Sequence, residues 1–334
     1  MLLQTDQSLQ SLNTFGVPAR ADLVVATDEA TTAAWLRRND RPLRVLGGGS
    51  NVLLRSDPAE IVLLNRIPGR QFEPHGADVL VTFGGGENWH AGVRYTLDQG
   101  LGGLENLSLI PGTMGASPIQ NIGAYGVELK DVFHSLRALD LRTGAARTFS
   151  AEALEFGYRD SIFKRALKGK MLIVGVTFRL HRDPYRTNVT YGAIREVLHE
   201  RGIDRPTVRD VSDAVIDIRQ RKLPDPAQIG NTGSFFKNPV LGAAQFAELE
   251  RRHPDPVHYP LADGTVKVPA GWLIDRAGWR GKTLGNVGTY EHQALVLVNR
   301  GGATGAEVWD FAQRVQADVM QKFGVRLEPE VNLW

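Results

Sequence analysis

Cysteine is absent from all 334 residues, which removes disulfides, thiolate metal sites, cysteine nucleophiles and cysteinyl attachment of a cofactor together. Any oxidation or reduction must then be carried by a bound group. No run of eighteen apolar residues occurs, and the opening MLLQTDQSLQ has neither a basic end nor a long apolar segment. Neither a membrane span nor a secretory signal is therefore expected, and the expected location is cytoplasmic. A surplus of charge is lacking too: 39 Lys and Arg stand against 37 Asp and Glu, a net +2 with no basic block, which argues against a nucleic-acid surface. The eight histidines show no H-E-x-x-H spacing, and His253 and His258 lie in a proline-rich stretch, so no metal is assigned. Repeats and low-complexity tracts are missing as well.

What is present is globular material, 42% hydrophobic and 23% charged, long enough for two or three domains. The first third predicts short strands over 21–26, 43–48, 60–65 and 78–85, broken by glycine-rich turns. One helix is predicted after Thr27, and a second after Asn88, a good N-cap. A hairpin turning at Thr143–Gly144 and a strongly apolar strand over 171–180 continue the sheet. Thr207 and Asp210 form a T-x-x-D capping box, after which Val208, Val211, Val215 and Ile218 recur at helical spacing until Leu223-Pro224-Asp225-Pro226. That proline-bounded turn places a domain boundary near 220. Beyond it the sequence predicts a loop, GNTGSFFKNP, a helix, AGWLIDRAG, and a strand over 294–299. A last helix, opened by Thr304 and Glu307, carries an apolar face of Val308, Phe311, Val315 and Val319.

Two glycine-rich stretches break these patterns. Gly47-Gly48-Gly49-Ser50-Asn51 lies between two apolar strands, where glycines let backbone N–H groups approach an anion closely. It lacks the G-K-[ST] of a P-loop and the G-x-G-x-x-G of a dinucleotide fold, and a tight strand-to-strand turn is the other reading. From Pro111 to Gly126 the chain reads PGTMGASPIQNIGAYG, which suits neither helix nor strand. Its glycines and amides suit a loop wrapped around a flat, polar, diphosphate-bearing ligand such as FAD, and a loop of this length usually has a functional reason.

With these stretches in view the sequence resembles the UDP-N-acetylenolpyruvoylglucosamine reductases, flavoenzymes of peptidoglycan synthesis. The resemblance runs in order through LNTFGVPARA, LGGGSNVLL, GLENLSLIPGTMGASPIQNIGAYGVE, FGYRDSIFK, RKLPDP, GNTGSFFKNP, YEHQALVLVN and LEPEVN. It implies an α+β fold in which a two-lobed FAD-binding module of the flavin oxidase type (1–66 and 67–221) precedes a C-terminal α+β substrate-binding domain (222–325). A final segment, 326–334, would return Glu330 to the active site. FAD held without a covalent bond agrees with the missing cysteine, and NADPH is the implied co-substrate. TYGAIREV, with Tyr191, resembles the subgroup carrying an extra tyrosine loop. The implied partners are small molecules only, and the implied state is a monomer.

The reaction so implied adds hydride to an enol ether conjugated to a carboxylate. It needs a fixed cation near the developing enolate and an acid beside the α-carbon. By resemblance the catalytic set is Arg159 for the carboxylate, Ser234 as proton donor and Glu330 beside the enolate. Gly47, Gly48, Gly49, Ser50, Asn51, Gly112, Gly115, Ser117, Asn121, Ile122 and Gly123 are the implied flavin contacts. Tyr125, Tyr191, Lys222, Asn238 and Gln293 are the implied substrate contacts. A lysine just before Leu-Pro can serve as a point charge for phosphate, or simply as a favourable residue at a helix C-terminus. Two positions depart from the pattern: Ala116 where some relatives have serine, and Thr232 where relatives often have alanine. A flavin-dependent sugar or lactone oxidase and a non-catalytic UDP-sugar sensor are the competing readings; the GSFFKNP and LEPE segments argue against the first, and Arg159, Ser234 and Glu330 against the second.

Overall fold

The strand Met171–His181 is apolar at nearly every position because both faces of its sheet are covered. Ile173, Val176, Phe178 and Leu180 face one core with Phe83, Trp89 and Val93, while Leu172 and Val174 face another with Val24, Leu36, Ile61 and Leu63. The computed structural model describes residues 1–334 and gathers them into two compact units. The first holds Met1–Gln7, Ala21–Gly49 and Ala59–Arg221; the second holds Ser8–Arg20, Ser50–Pro58 and Lys222–Trp334.

In the first unit a four-stranded sheet has the order Gln4–Ser8, Arg20–Ala26, Ile61–Asn65, Leu43–Leu46, and its last three strands are parallel. Helix α1 (Glu29–Leu36) is capped by Asp28, whose carboxylate accepts from Thr31 N–H at 2.7 Å. A five-stranded antiparallel sheet follows in the order Ala146–Ser150, Phe133–Asp140, Met171–His181, Asp78–Gly84, Arg70–His75. Helix α2 (Trp89–Asp98) starts at Asn88, whose side chain accepts from Ala91 N–H at 2.9 Å. The short α3 (Ala151–Leu154) closes the hairpin region.

Helices α4 (Gly192–Glu200) and α5 (Val208–Lys222) form a small core of their own. The predicted stripe Val211, Val215 and Ile218 packs on Ile194, Val197 and Leu198. The stretch TYGAIREV is helical from Gly192, with Tyr191 immediately before the first turn. The capping box of α5 forms as predicted, Thr207 Oγ1 donating to Asp210 at 2.6 Å.

In the second unit an antiparallel sheet runs Gly230–Ser234, Val296–Asn299, Val287–Thr289, Thr283–Leu284. GNTGSFFKNP, predicted as a loop, thus begins as a strand. Of Gly230-Asn231-Thr232-Gly233-Ser234 only the threonine favours a strand, and its two glycines and asparagine favour a loop, but pairing with Val296–Asn299 overrides them. The conflict survives as a register irregularity between Asn231 and Ser234, with Gly233 at φ 69°. Helix α6 (Ala243–Arg252) lies near a three-stranded sheet of Val240–Leu241, Val266–Lys267 and Tyr259–Pro260. Beyond it come α7 (Ala270–Arg276) and α8 (Gly305–Phe323). Val308, Phe311, Val315 and Val319 of α8 are all buried, and its capping box between Thr304 and Glu307 is complete. No helix is long and apolar enough to cross a membrane.

Candidate active site

Gly47, Gly48 and Gly115 of the first unit are required by close approach. A Cβ on Gly48 would stand 2.8 Å from the Gly112 Cα, and one on Gly47 would stand 2.6 Å from Thr113 Oγ1. Only bare backbone lets these two loops meet. Gly115 is pressed against the sheet in the same way: its N–H donates to Gly85 C=O at 2.9 Å, and a Cβ would lie 2.8 Å from the Ile173 carbonyl. Thr113 Oγ1 is buried at this junction with no partner in the protein. A buried hydroxyl left so costs on the order of 1–3 kcal/mol, which a bound polar group would recover. The glycine cradle and this orphaned hydroxyl fit a flavin dinucleotide.

The other implied flavin contacts divide by what their side chains already do. Ser117 is buried and donates its hydroxyl to Met114 C=O at 2.7 Å. Asn121 is fully buried, its Nδ2 donating to Glu128 Oε2 and Gly157 C=O and its Oδ1 accepting the Lys130 N–H. Ile122 receives the Leu129 N–H on its carbonyl at 2.8 Å, which starts the hairpin Gly123–Ala124 with Val127–Glu128. The Gly123 carbonyl accepts from Arg159 Nη2 at 2.6 Å. Arg159 is half-buried, lies 5.4 Å above the Tyr158 ring, and has φ 52°.

The tyrosines meet in the same unit. The Tyr125 and Tyr191 rings are 5.2 Å apart at 85°, an edge-to-face pair beside the α4–α5 core. Burial pushes the Tyr125 hydroxyl above its ordinary pKa, and Arg219 opposes that rise. Asn106, 1% exposed, spans Tyr125 C=O at 3.0 Å and Asn188 C=O at 2.9 Å with its Nδ2, tying the two tyrosine-bearing segments together.

In the second unit the strand after the bulge is anchored by Phe235 and Phe236, both fully buried, and leaves Ser234 exposed beside them. The C-terminal stretch runs alongside: Lys237 N–H donates to Glu328 C=O at 2.9 Å, and Glu330 N–H to Phe235 C=O at 2.8 Å. Ser234 and the half-buried Glu330 are thereby brought together. Asn332–Leu333 pairs in parallel with Val52–Leu53, and Asn51 Nδ2 donates to Glu330 C=O at 3.3 Å. Ser50 and Asn51 accordingly belong with Glu330 in this unit, whereas Gly47, Gly48 and Gly49 belong to the first. Asn238 accepts the Ala270 N–H at 2.9 Å, and Gln293 Oε1 faces Gly271 closely, so both sit at the first turn of α7. Lys222 is exposed at the end of α5.

Sequence reasoning overlooked Asn106, Arg219 and His90. Arg219 is half-buried on α5 with its Nε enclosed and unpaired. Its place four residues after Val215, on the apolar stripe, was the available signal. His90 accepts the Leu109 N–H on Nδ1 at 2.9 Å, holding Leu109 at φ 59°. Its neutral ring therefore carries the proton on Nε2. Burial first, then Arg94 and Arg219, lower its pKa from the usual 6.5. Arg94 is itself bonded to Asp213 at 2.6 Å and to Ser212 at 3.2 Å. A histidine kept neutral in the fold stabilises it fully above the unfolded pKa, and this contribution is lost as pH falls below about 6.5. His90→Asn, which keeps an acceptor but does not titrate, is expected to flatten the fall of thermal midpoint between about pH 7 and pH 5. Parallel curves for the two proteins would remove His90 from the account.

The FAD binding domain family matches residues 23–150, and the family described as UDP-N-acetylenolpyruvoylglucosamine reductase, C-terminal domain, matches 225–334. Fold and loops together define a flavoprotein with an FAD-binding unit and a dedicated C-terminal unit. Relatives named UDP-N-acetylenolpyruvoylglucosamine reductase are 53% identical in Azoarcus sp. (strain BH72), over 99% of this chain and 97% of that protein, and 53% identical in Pseudomonas aeruginosa, over 99% of each. A third, from Burkholderia cenocepacia, is 52% identical over 98% of this chain and 96% of that one. The chain belongs to the UDP-N-acetylenolpyruvoylglucosamine reductase family. The crystal structure of the Thermus caldophilus reductase, 24% identical, shares the fold over 100% of both chains with a TM-score of 0.71.

Proposed function

We propose that this chain reduces UDP-N-acetylglucosamine enolpyruvate to UDP-N-acetylmuramate with electrons from NADPH, in peptidoglycan synthesis, as a cytoplasmic monomer acting on small molecules alone. The carrying observation is the 53% identity to reductases of that name over 99% of the chain. FAD, when bound, would supply two-electron hydride chemistry between NADPH and the enol ether. Its contacts are assigned to Gly47, Gly48, Gly49, Ser50, Gly112, Gly115 and the backbone of Ile122–Gly123.

The chain's own groups do the rest. Arg159 presents a permanent cation with parallel N–H donors to the substrate carboxylate, whose charge grows as hydride arrives. Ser234 delivers the proton to the α-carbon; a hydroxyl is a feeble acid in water, but an enolate held beside it is basic enough to take its proton. Glu330 orients or polarises the same centre. Tyr125, Tyr191, Lys222, Asn238 and Gln293 hold the UDP-sugar, with Lys222 as a point charge for phosphate, and the segment carrying Tyr191 is the tyrosine loop of the subgroup. The lobes 1–66 and 67–221, the substrate domain 222–325 and the segment 326–334 are part of the same proposal.

An anaerobic visible spectrum tests the cycle. NADPH is expected to bleach a flavin band that returns when UDP-N-acetylglucosamine enolpyruvate is added. Return only on admitting oxygen would favour the oxidase, and the absence of a flavin band would remove the reductase reading.

A further inference from the structure

We infer that Asn121 is the residue that sets Arg159 in place, a positioning role for the proposed reaction and not a contact with flavin. Arg159 sits inside a turn closed by Gly157 N–H on Asp160 C=O at 3.0 Å and Asp160 N–H on Gly157 C=O at 3.3 Å. Its φ of 52° lies in the left-handed region that non-glycine residues enter rarely, so the surrounding structure must hold it there. The holding bond comes from Asn121, whose Nδ2 donates to Gly157 C=O at 3.0 Å across 36 residues of chain. The guanidinium is fixed two residues further along the same loop, Arg159 Nη2 donating to Gly123 C=O at 2.6 Å. Asn121 thus stands between the backbone that carries Arg159 and the carbonyl that receives its side chain. A Cβ on Gly123 would already lie 3.0 Å from Arg159 Nη1, so the fit has little slack.

The amide of Asn121 is committed inside the protein. The second Nδ2 proton goes to Glu128 Oε2 at 3.0 Å, and Oδ1 accepts the Lys130 N–H at 3.0 Å. Exchanging its oxygen and nitrogen would face oxygen onto a carbonyl and a carboxylate, and NH2 onto an N–H, so the orientation is settled by its neighbours. The residue is 0% exposed and itself left-handed, φ 45°, a conformation asparagine and aspartate tolerate better than most. Ser161 Oγ, bonded to Ile119 C=O at 2.7 Å, makes a second tie between the same two segments. Aspartate at 121 would keep the backbone and the acceptor for Lys130. It would remove both donors and turn a carboxylate towards Glu128.

The inference rests on the reading of Arg159 as the group that holds the substrate carboxylate, and a double-mutant cycle separates the two. Flavin content, the rate of bleaching by NADPH and the rate of reoxidation by UDP-N-acetylglucosamine enolpyruvate are measured for Asn121→Asp, Arg159→Ala and the double variant. Asn121→Asp is expected to bind flavin and bleach normally, and to reoxidise about 10- to 100-fold more slowly, the scale of a catalytic group displaced by about 1 Å. In the Arg159→Ala background it should cost nothing further. Loss concentrated in flavin affinity or in bleaching, or losses that multiply, would overturn the positioning role. Wild-type reoxidation by Arg159→Ala would instead overturn the reading of Arg159, and this inference with it. If Asn121→Asp does not fold, Asn121→Gly keeps the left-handed backbone, removes the whole amide and is expected to show the same split between half-reactions.

Discussion

Ser234→Ala is expected to leave flavin reduction by NADPH intact and to slow reoxidation by the enolpyruvyl substrate by roughly 10²- to 10⁴-fold, the range of general acid catalysis. The structure makes this an unusually clean substitution. The strand that carries Ser234 is anchored by Phe235 and Phe236, both fully buried, and by the pairing of Ser234 with Val296. Ser234 itself is exposed, and no core contact depends on its hydroxyl. Alanine therefore changes a proton donor without changing the scaffold, and the flavin-bleaching rate serves as an internal control. Equal loss in both half-reactions would mean that Ser234 supports the site as a whole, and its role as proton donor would be withdrawn.

Arg159→Ala is the second large effect, about 10²- to 10³-fold in reoxidation, or about 3–4 kcal/mol of barrier, the cost of removing one group that stabilises a developing oxyanion. Arg159→Lys should recover only part of it, because a lysine restores the charge but not the planar pair of donors. Removal also takes away the bond to Gly123 C=O. Arg159→Lys is thus the sharper test: a lysine variant as fast as the wild type would show that charge alone suffices, and unimpaired turnover in Arg159→Ala would remove it from the catalytic set. Both substitutions are read against the same bleaching step.

Most regular elements were legible because their signals are local. Asn88 caps α2, Thr207 with Asp210 and Thr304 with Glu307 cap α5 and α8, and the apolar spacing of Val308, Phe311, Val315 and Val319 marks the buried face of α8. Each of these decisions is made within a few residues, by a hydrogen bond or a helical period. Where the same local logic misled, a distant partner had intervened. Gly230–Ser234 is a strand only because Val296–Asn299 pairs with it, and the helix after Tyr191 was hidden by its glycine and tyrosine neighbours until α5 supplied the face it packs on.

Local chemistry therefore decided the absence of thiol chemistry, the helix ends, the nearly unbroken apolar run of the long central strand and, through its ordered motifs, the family to which the chain belongs. Tertiary structure alone decided what each polar side chain is used for. Asn121 and Asn51 look alike in the sequence as amides in glycine-rich loops. One is spent on the turn that carries Arg159, and the other reaches the carbonyl of Glu330, 279 residues away. The physical reason is that a buried amide must find donors and acceptors wherever packing brings them. Such pairings span tens to hundreds of residues and leave no periodic trace along the chain.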